Sequence, residues 1–152
     1  MELQVREARL TDFDRVTGVI ERADPRWTLD RLSDAADVLR QMLYLPNTTV
    51  VVALDGRMVI GVAVLALRPS VSRGGLVGAV DLLAVEPGHE LSGAVEALLR
   101  ELIRSARNKG CLVLESEHPD DAAAVSHWER VGFTESGPRL RCPLVRAAAL
   151  TW

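Results

Sequence analysis

A long amphipathic segment that ends at a glycine is the feature that most limits how this chain can fold. After Pro87 and Gly88, apolar residues recur every three or four positions between charged ones, which predicts a helix with one buried face. The inward positions are Val95, Leu98, Leu99, Leu102, Ile103 and Ala106. Gly110 follows where a left-handed C-terminal cap is expected. Apolar runs at residues 76–85 and 111–114 flank this helix, and strand, helix and strand in this order predict a right-handed parallel crossover.

An antiparallel meander is predicted ahead of the crossover. Residues 49–54 form a β-branched run, and residues 58–67 form a second apolar run. The intervening Asp55-Gly56 pair is a strong hairpin signal. The polar, glycine-containing segment 69–75 then predicts an exposed loop before the third strand.

Two helices are predicted before the meander, after a short strand around Leu3 and Val5. Thr11 is expected to cap the first helix and Thr28 the second, and Pro46 should end the second. The expected inward residues are Phe13, Val16, Val19, Ile20 and Ala23 in the first helix and Leu29, Leu32, Ala36, Leu39 and Leu43 in the second.

The C-terminal part predicts one more helix and further strands. Asp120 or Asp121 can cap a helix that Gly132 ends. Its inward residues are Ala124, Val125, Trp128 and Val131. Phe133 and residues 139–145 are expected to add one or two closing strands. The absence of repeats and linkers predicts a single domain over residues 1–152 with a mixed α+β architecture.

Composition excludes several classes of function. The hydrophobic fraction is 48%, yet no stretch approaches the roughly 20 apolar residues of a membrane span. A formal charge of -3 gives no electrostatic basis for binding nucleic acid. Only Cys111 and Cys142 occur, and the chain starts without a basic-then-apolar signal, which predicts a cytoplasmic protein without a structural disulfide.

Two motifs carry a resemblance to a known family. Residues 81–87 read Asp-Leu-Leu-Ala-Val-Glu-Pro, and residues 128–133 read Trp-Glu-Arg-Val-Gly-Phe. The first is similar to the strand that leads into the cofactor loop of the GNAT superfamily of N-acetyltransferases, and the second is similar to that family's closing helix. The order of strands and helices also resembles this family over nearly the whole chain. The resemblance implies an α/β/α fold with a mainly antiparallel sheet flanked by helices.

The resemblance implies acetyl-CoA as the donor in direct transfer to an amine, without a covalent enzyme intermediate. The family places the diphosphate of CoA on a loop and first helical turn rich in small residues, because main-chain N–H groups must approach the anion closely. The residues implied in cofactor binding are Leu83, Ala84, Val85, His89, Ser92, Gly93, Ala94, Val95 and Trp128.

The predicted phosphate loop departs from the family pattern Arg/Gln-x-x-Gly-x-Gly/Ala. Gly93 matches, but Glu90 stands where a cation or amide is usual, and Val95 stands where a glycine or alanine is usual. In one interpretation Glu90 repels the diphosphate and weakens the site. In the other, Glu90 and Ser92 only complement the helix start, while Val95 joins the core.

Asp81 is the candidate catalytic base. A carboxylate within an apolar strand is costly to bury, and partial burial raises its pKa toward a useful base. The alternative is an acid at the strand surface that only accepts hydrogen bonds. Family members use a tyrosine as general acid where this chain has Trp128, whose indole cannot supply a proton near neutral pH. Tyr44 lies at the end of the second predicted helix, which favours a core or lid role.

The three histidines are secondary candidates. His89 can face the diphosphate or lie exposed in the loop, and His118 begins a loop. His127 is expected to face partly outward beside Trp128. Glu115 and Glu117 can face the substrate, although exposed acids are common. No metal site is predicted, because no spacing of histidine, cysteine and carboxylate resembles one.

Two functions are compatible with the sequence. The first is an acyl-CoA-dependent N-acyltransferase acting on a small-molecule or peptide amine, and the acidic residues between 21 and 37 provide a wall suited to a cationic acceptor. The second is a catalytically inactive GNAT-like binding or structural module that has lost normal CoA binding, which Glu90, Val95 and Trp128 favour. The apolar residues 144–152 are a candidate contact of a homodimer.

Overall fold

The computed structural model of the protein describes residues 2–119 and 121–144, and within these residues one sheet of five strands is present. The strands are β1 (Leu3–Glu7), β2 (Thr48–Asp55), β3 (Met58–Ser70), β4 (Gly75–Val85) and β5 (Val113–Ser116). The helices are α1 (Phe13–Ala23), α2 (Leu29–Met42), α3 (Ala94–Asn108) and α4 (Ala122–Arg130). The strands are ordered β1-β2-β3-β4-β5, and β4 pairs with β5 in parallel while the other pairs are antiparallel. In this described part, no helix has the length and apolar character of a membrane span.

The sheet separates two apolar cores, which gives three layers. Val51 and Ala53 of β2 belong to the core beneath α3 and α4. Val50 and Val52 belong to the core beneath α1 and α2. This alternation is expected of a central strand that is buried on both faces. The predicted α+β fold, with a mainly antiparallel sheet flanked by helices, is confirmed.

The predicted parallel pairing of two strands joined by a long helix is confirmed in β4, α3 and β5. Five of the six predicted inward residues of α3 are buried, and Ile103 is partly exposed. Gly93 (φ +87°) precedes the helix, and Gly110 (φ +83°) follows it. Both are left-handed conformations that glycine adopts at little cost. The predicted hairpin is also present, with Gly56 and Arg57 forming the turn between the paired residues Asp55 and Met58.

The start of α1 differs from the sequence prediction. Thr11 does not cap the helix. Instead residues Leu10–Asp12 form a 3₁₀ turn, and the Asp12 carboxylate accepts a hydrogen bond from the Arg9 N–H at 2.7 Å. The same carboxylate binds both terminal nitrogens of Arg6 at 2.7 and 3.1 Å. Asp12 is therefore the buried acid that joins β1 to α1.

Helix α2 confirms its predicted cap but only part of its predicted stripe. The Thr28 hydroxyl accepts from the Arg31 N–H at 3.2 Å. Leu39 is buried, whereas Leu29 is 82% exposed. Leu29 is the first residue of the helix, and at this position the helix does not contact the core.

The prediction of strands near the C-terminus is wrong for the residues that can be compared. Residues 134–143 carry no strand, and Leu144 is exposed. The Arg139 and Arg141 side chains instead bind the carboxylate of Glu117. Asp121 caps α4 through the Ala123 N–H at 2.9 Å. The alternative cap Asp120 and the predicted contact residues 145–152 lie outside the described residues.

Candidate active site

Strands β4 and β5 diverge, and the gap that this creates is the centre of the candidate site. Their parallel pairing ends at Val80 and Ser116. Strand β4 continues as far as Val85, paired with β3 on its other side. In the described part of the chain, residues 81–85 therefore have no strand partner on the β5 side. Their main-chain groups can pair with an extended ligand. The predicted cofactor residues Leu83, Ala84 and Val85 lie on this segment.

A β-bulge at Asp81 marks where the divergence begins. Val64 of β3 pairs with Leu82, and Leu65 pairs with Val80, so Asp81 is the extra residue between two paired positions. A bulge breaks the alternation of side chains and bends its strand. The Asp81 side chain consequently leaves the apolar pattern of β4 and reaches solvent.

Asp81 has the electrostatic environment of a base. Desolvation by the surrounding protein raises the pKa of its carboxyl, and the negative charge of Glu117 raises it further. The residue is exposed to solvent, although the neighbouring protein atoms reduce the hydration of its carboxyl. No hydrogen bond joins Asp81 to another residue of the described part. Its carboxylate is thus available to accept a proton.

The loop between β4 and α3 is fixed by its own hydrogen bonds. The Glu86 N–H donates to the Ile60 carbonyl at 2.7 Å, and the His89 N–H donates to the Glu86 carbonyl at 3.0 Å. The Ser92 hydroxyl donates to the His89 carbonyl at 2.6 Å and accepts from the Ala94 N–H at 3.3 Å. The loop therefore presents the start of α3 in a defined orientation.

The start of α3 can bind an anion. In the described part, the N–H groups of Gly93 and Val95 have no hydrogen-bond acceptor. A Cβ atom at Gly93 would meet nothing within 4 Å, so this position is open. Unpaired N–H groups and the positive end of the helix dipole both favour a negative group. The Val95 side chain is buried in the core below, and its branched atoms do not take up this space.

Glu90 bends back onto its own loop. Its carboxylate accepts from the Gly88 N–H at 2.9 Å. Hydrogen bonds from the N–H groups of Glu90 and Gly88 lower the pKa of this carboxyl. Glu90 is exposed and brings a negative charge to the loop in which the family pattern has a cation or an amide.

Helices α3 and α4 are joined by an acid that the sequence analysis did not single out. The Glu96 carboxylate lies 2.6 Å from His127 Nδ1 and 3.2 Å from Arg130 Nη1. The hydrogen bond from His127 lowers the pKa of Glu96. His127 is intermediate in burial, in line with the expectation that it faces partly outward, although only 13% of its side chain is exposed. The i, i+3 spacing of His127 and Arg130 on one helix face was the available signal.

Trp128 lies in the core between α3 and α4. It is buried, and its ring packs edge-on against Phe133 with centroids 5.0 Å apart. Both residues pack with the apolar stripe of α3. The structure thus places Trp128 in a packing role, and its predicted contact with a cofactor stays a prediction.

A cleft of about 420 Å³ lies against β4 on the side of α1. Its lining comes from the end of α1, the segment that follows and β4, namely Ile20, Ala23, Asp24, Pro25, Arg26, Trp27, Leu82, Leu83 and Ala84. The Arg26 side chain binds the Asp24 carboxylate and lowers its pKa. The Arg31 guanidinium lies 4.6 Å from the Trp27 ring centroid. The sequence indicated an acidic wall here but not its aromatic member.

The remaining candidates lie apart from this arrangement. His118 is exposed, and its ring nitrogens bond to the Pro119 carbonyl at 2.9 Å and to Glu135 at 3.1 Å. These two hydrogen bonds raise the pKa of His118. Tyr44 is 72% exposed, so a core role for it is wrong. Glu115 pairs with Arg73 at 2.7 Å. Among residues 2–119 and 121–144, no group of three or more potential ligands could hold a metal ion.

Comparison with known proteins gives matches over most of the chain. The acetyltransferase (GNAT) family pattern matches residues 16–133. The glucosamine 6-phosphate N-acetyltransferase of Trypanosoma brucei brucei is 27% identical over 148 residues, which are 95% of this chain and 96% of that protein.

Solved structures share the fold. An integron cassette protein from the mobile metagenome of Cole Harbour Salt Marsh has a TM-score of 0.81 at 25% identity, and the match covers 94% of this chain and 91% of that one. The aminoglycoside N-acetyltransferase AAC(6')-Iy in complex with CoA has a TM-score of 0.78 at 18% identity, and the match covers 93% and 94% of the two chains.

Proposed function

Because this chain belongs to the acetyltransferase (GNAT) family and is an N-acetyltransferase, we propose that it transfers the acetyl group of acetyl-CoA to the amine of a small molecule. The observation that carries this proposal is the free edge of β4 over residues 81–85, which ends at the open start of α3. An elongated donor with a diphosphate matches these two features, since one offers main-chain pairing and the other offers an anion site.

The residues present fit the donor. The N–H groups of Gly93 and Val95 would hold its diphosphate, and main-chain groups of Leu83 and Val85 would hold its extended arm. Acetyl-CoA supplies an activated thioester carbonyl when it is bound. The family's loop pattern is not needed in full, because Val95 turns its side chain into the core and still offers its N–H group.

Asp81 is the proposed base. The acceptor amine must lose a proton to become nucleophilic, and Asp81 accepts that proton, directly or through water. The new C–N bond forms as the C–S bond breaks, and the thiolate that leaves takes its proton from water. The indole of Trp128 is no proton source, and its burial beside Phe133 agrees with a structural role.

The acceptor is proposed to bind in the cleft beside Leu82 and Leu83. Its volume of about 420 Å³ lies within the range of roughly 300–1,000 Å³ typical of small-molecule sites. Trp27 offers an aromatic face, and the Asp24 carboxylate, which stays paired with Arg26, offers oxygen acceptors to a hydroxyl or an ammonium. The names of the Trypanosoma relative and of AAC(6')-Iy, which describe amino-sugar and aminoglycoside acetyltransferases, support an amine of this class.

Binding and turnover test the proposal separately. Isothermal titration with acetyl-CoA should give saturable binding. Release of free thiol should then be followed with glucosamine 6-phosphate, an aminoglycoside and a short peptide as acceptors. Preference for the peptide would overturn the small-molecule assignment. No binding at millimolar acetyl-CoA would reject the transferase and leave the inactive binding module.

Replacing Glu90 with Gln should tighten acetyl-CoA binding several-fold. The amide keeps an oxygen for the Gly88 N–H but removes a negative charge from the loop that would receive the diphosphate. The gain should shrink at high salt, because exposed charges are screened. Titration at low and high ionic strength measures both effects.

Glu7→Gln is the matched control for Glu90→Gln, because it makes the same change on β1 at the opposite edge of the sheet. It should leave acetyl-CoA binding unaltered. Equal affinities of the Glu90→Gln variant and the parent would show that the carboxylate does not meet the donor.

We also propose that the reaction takes place in the cytoplasm, because a chain with only two cysteines suits a reducing compartment. A homodimer formed through residues 144–152 remains a prediction that sedimentation can test.

A further inference from the structure

A second cavity, distinct from the acceptor cleft, lies between α1 and the β2–β3 turn. It has a volume of about 590 Å³. The residues around it are Asp14, Arg15, Gly18, Arg22, Arg57, Met58 and Val59. Three of these side chains carry guanidinium groups, although the chain as a whole has a formal charge of -3. Positive side chains that line one concavity raise the electrostatic potential there where no carboxylate neutralises them.

The three arginines differ in whether a carboxylate neutralises their charge. Arg22 lies across α1 over Gly18, where an added Cβ would come within 3.0 Å of its Nη1, and it binds Glu86 at 2.6 and 2.9 Å. Arg15 Nη1 donates to the main-chain carbonyl of Arg57 at 3.3 Å. In the described part of the chain, neither Arg15 nor Arg57 has a carboxylate partner. Two full positive charges therefore remain beside the cavity.

The fold keeps Arg15 and Arg57 close together. The hydrogen bond to the turn carbonyl brings the guanidinium of Arg15 from α1 to the backbone of the hairpin. Met58 and Val59 add an apolar wall. The acid in the lining is Asp14, whose charge opposes only part of this positive potential. Guanidinium groups form paired hydrogen bonds to tetrahedral anions, which a compact ammonium does not match.

We propose that this cavity is a binding site for a phosphate group. Arg15 and Arg57 contact the phosphate oxygens, while Arg22 stays bound to Glu86 and adds no net charge. The phosphate belongs either to a phosphorylated acceptor or to a separate phosphorylated ligand. Binding of phosphate here does not depend on the proposed acetyl transfer, since no residue of the donor site contributes to it.

Isothermal titration with inorganic phosphate tests the site directly. Arg15→Gln and Arg57→Gln should each weaken binding about tenfold, the scale of one hydrogen bond between charged groups. Asp14→Asn should tighten binding, because it removes the opposing charge. Arg68→Gln is the control, since Arg68 is an exposed arginine of β3 outside this cavity. Absence of binding at millimolar phosphate, or equal weakening by Arg68→Gln, would overturn the proposal.

Kinetics then identify the source of the phosphate. If it is part of the acceptor, Arg57→Gln raises KM for glucosamine 6-phosphate and leaves KM for glucosamine unchanged. If it belongs to a separate ligand, both KM values stay the same while inorganic phosphate binding is weakened. Failure of acetyl transfer with every amine would reject the proposed function but would not affect the titration.

Discussion

Replacing Asp81 with Asn is expected to lower kcat for acetyl transfer by roughly 100-fold or more, the usual contribution of a general base. The amide has nearly the same shape but cannot accept the proton of the acceptor amine. The Kd of acetyl-CoA should stay nearly unchanged, because the proposed contacts of the donor are with main-chain groups. Thiol release at saturating substrates, together with titration of acetyl-CoA, measures both quantities. An unchanged kcat would remove Asp81 from the mechanism.

The pH profile separates a base from a merely nearby acid. Burial and the charge of Glu117 raise the pKa of Asp81. The pH profile of kcat should therefore have a rising limb whose apparent pKa lies above the usual pKa range of an aspartate. Glu117→Gln removes the like charge and should move that limb to lower pH. In Asp81→Asn this limb should be absent from the residual activity.

Stability provides the control for misfolding in the Asp81→Asn variant. A raised pKa in the folded state means that the ionised carboxylate opposes folding, and this cost appears as pH rises through the window between the unfolded and folded pKa values. Below that window the carboxyl is protonated in both states. Asp81→Asn should therefore keep or increase the Tm at neutral pH while activity is lost. A decreased Tm would instead attribute the loss to damaged structure.

The parts of the fold that the sequence predicted correctly are those with local causes. The stripe of α3 and the glycine at residue 110 are set by neighbours within a few residues. The hairpin at Gly56 and the cap at Thr28 are similarly local. The parallel crossover followed from these elements, because two parallel strands need a long connection between them, which is usually a helix.

The errors and omissions come from contacts between distant residues. The bulge at Asp81 depends on the register between β3 and β4, which no local pattern sets. Glu96 and His127 are 31 positions apart. The predicted strand at residues 139–145 is not present in its described part, where Arg139 and Arg141 bind Glu117 across the fold. In each case the decisive contact joins residues that are far apart in the sequence.

The two departures in the phosphate loop have different physical consequences. Val95 is at the second position of α3, and its side chain is part of the core, so the branched group does not cover the helix start. Glu90 is exposed and keeps its charge on the loop. We therefore expect the departure at residue 95 to leave the proposed anion site open and the departure at residue 90 to weaken it electrostatically.

Replacing Asp12 with Ala is expected to lower the free energy of unfolding by about 3 kcal/mol, the lower end for breaking a buried ion pair. The lower end applies because the Arg6 side chain is 24% exposed and can recover part of its hydration. The variant also leaves the Arg9 N–H without its acceptor. For a chain of this length, the loss corresponds to a Tm about 10 °C lower. Urea denaturation and thermal melts at neutral pH measure it.

The effect of Asp12→Ala should depend on pH in a defined direction. The hydrogen bond from Arg6 lowers the pKa of Asp12 in the folded state. Its contribution to stability is thus complete above the unfolded pKa and is lost as pH falls through the folded one. The variant and the parent should become more alike in acid. Asp14→Ala is the control, because Asp14 is an exposed acid two residues after Asp12. This substitution should change the free energy of unfolding by only about 0.5 kcal/mol. An equal loss in both variants would show that the Arg6–Asp12 pair does not hold α1 to β1.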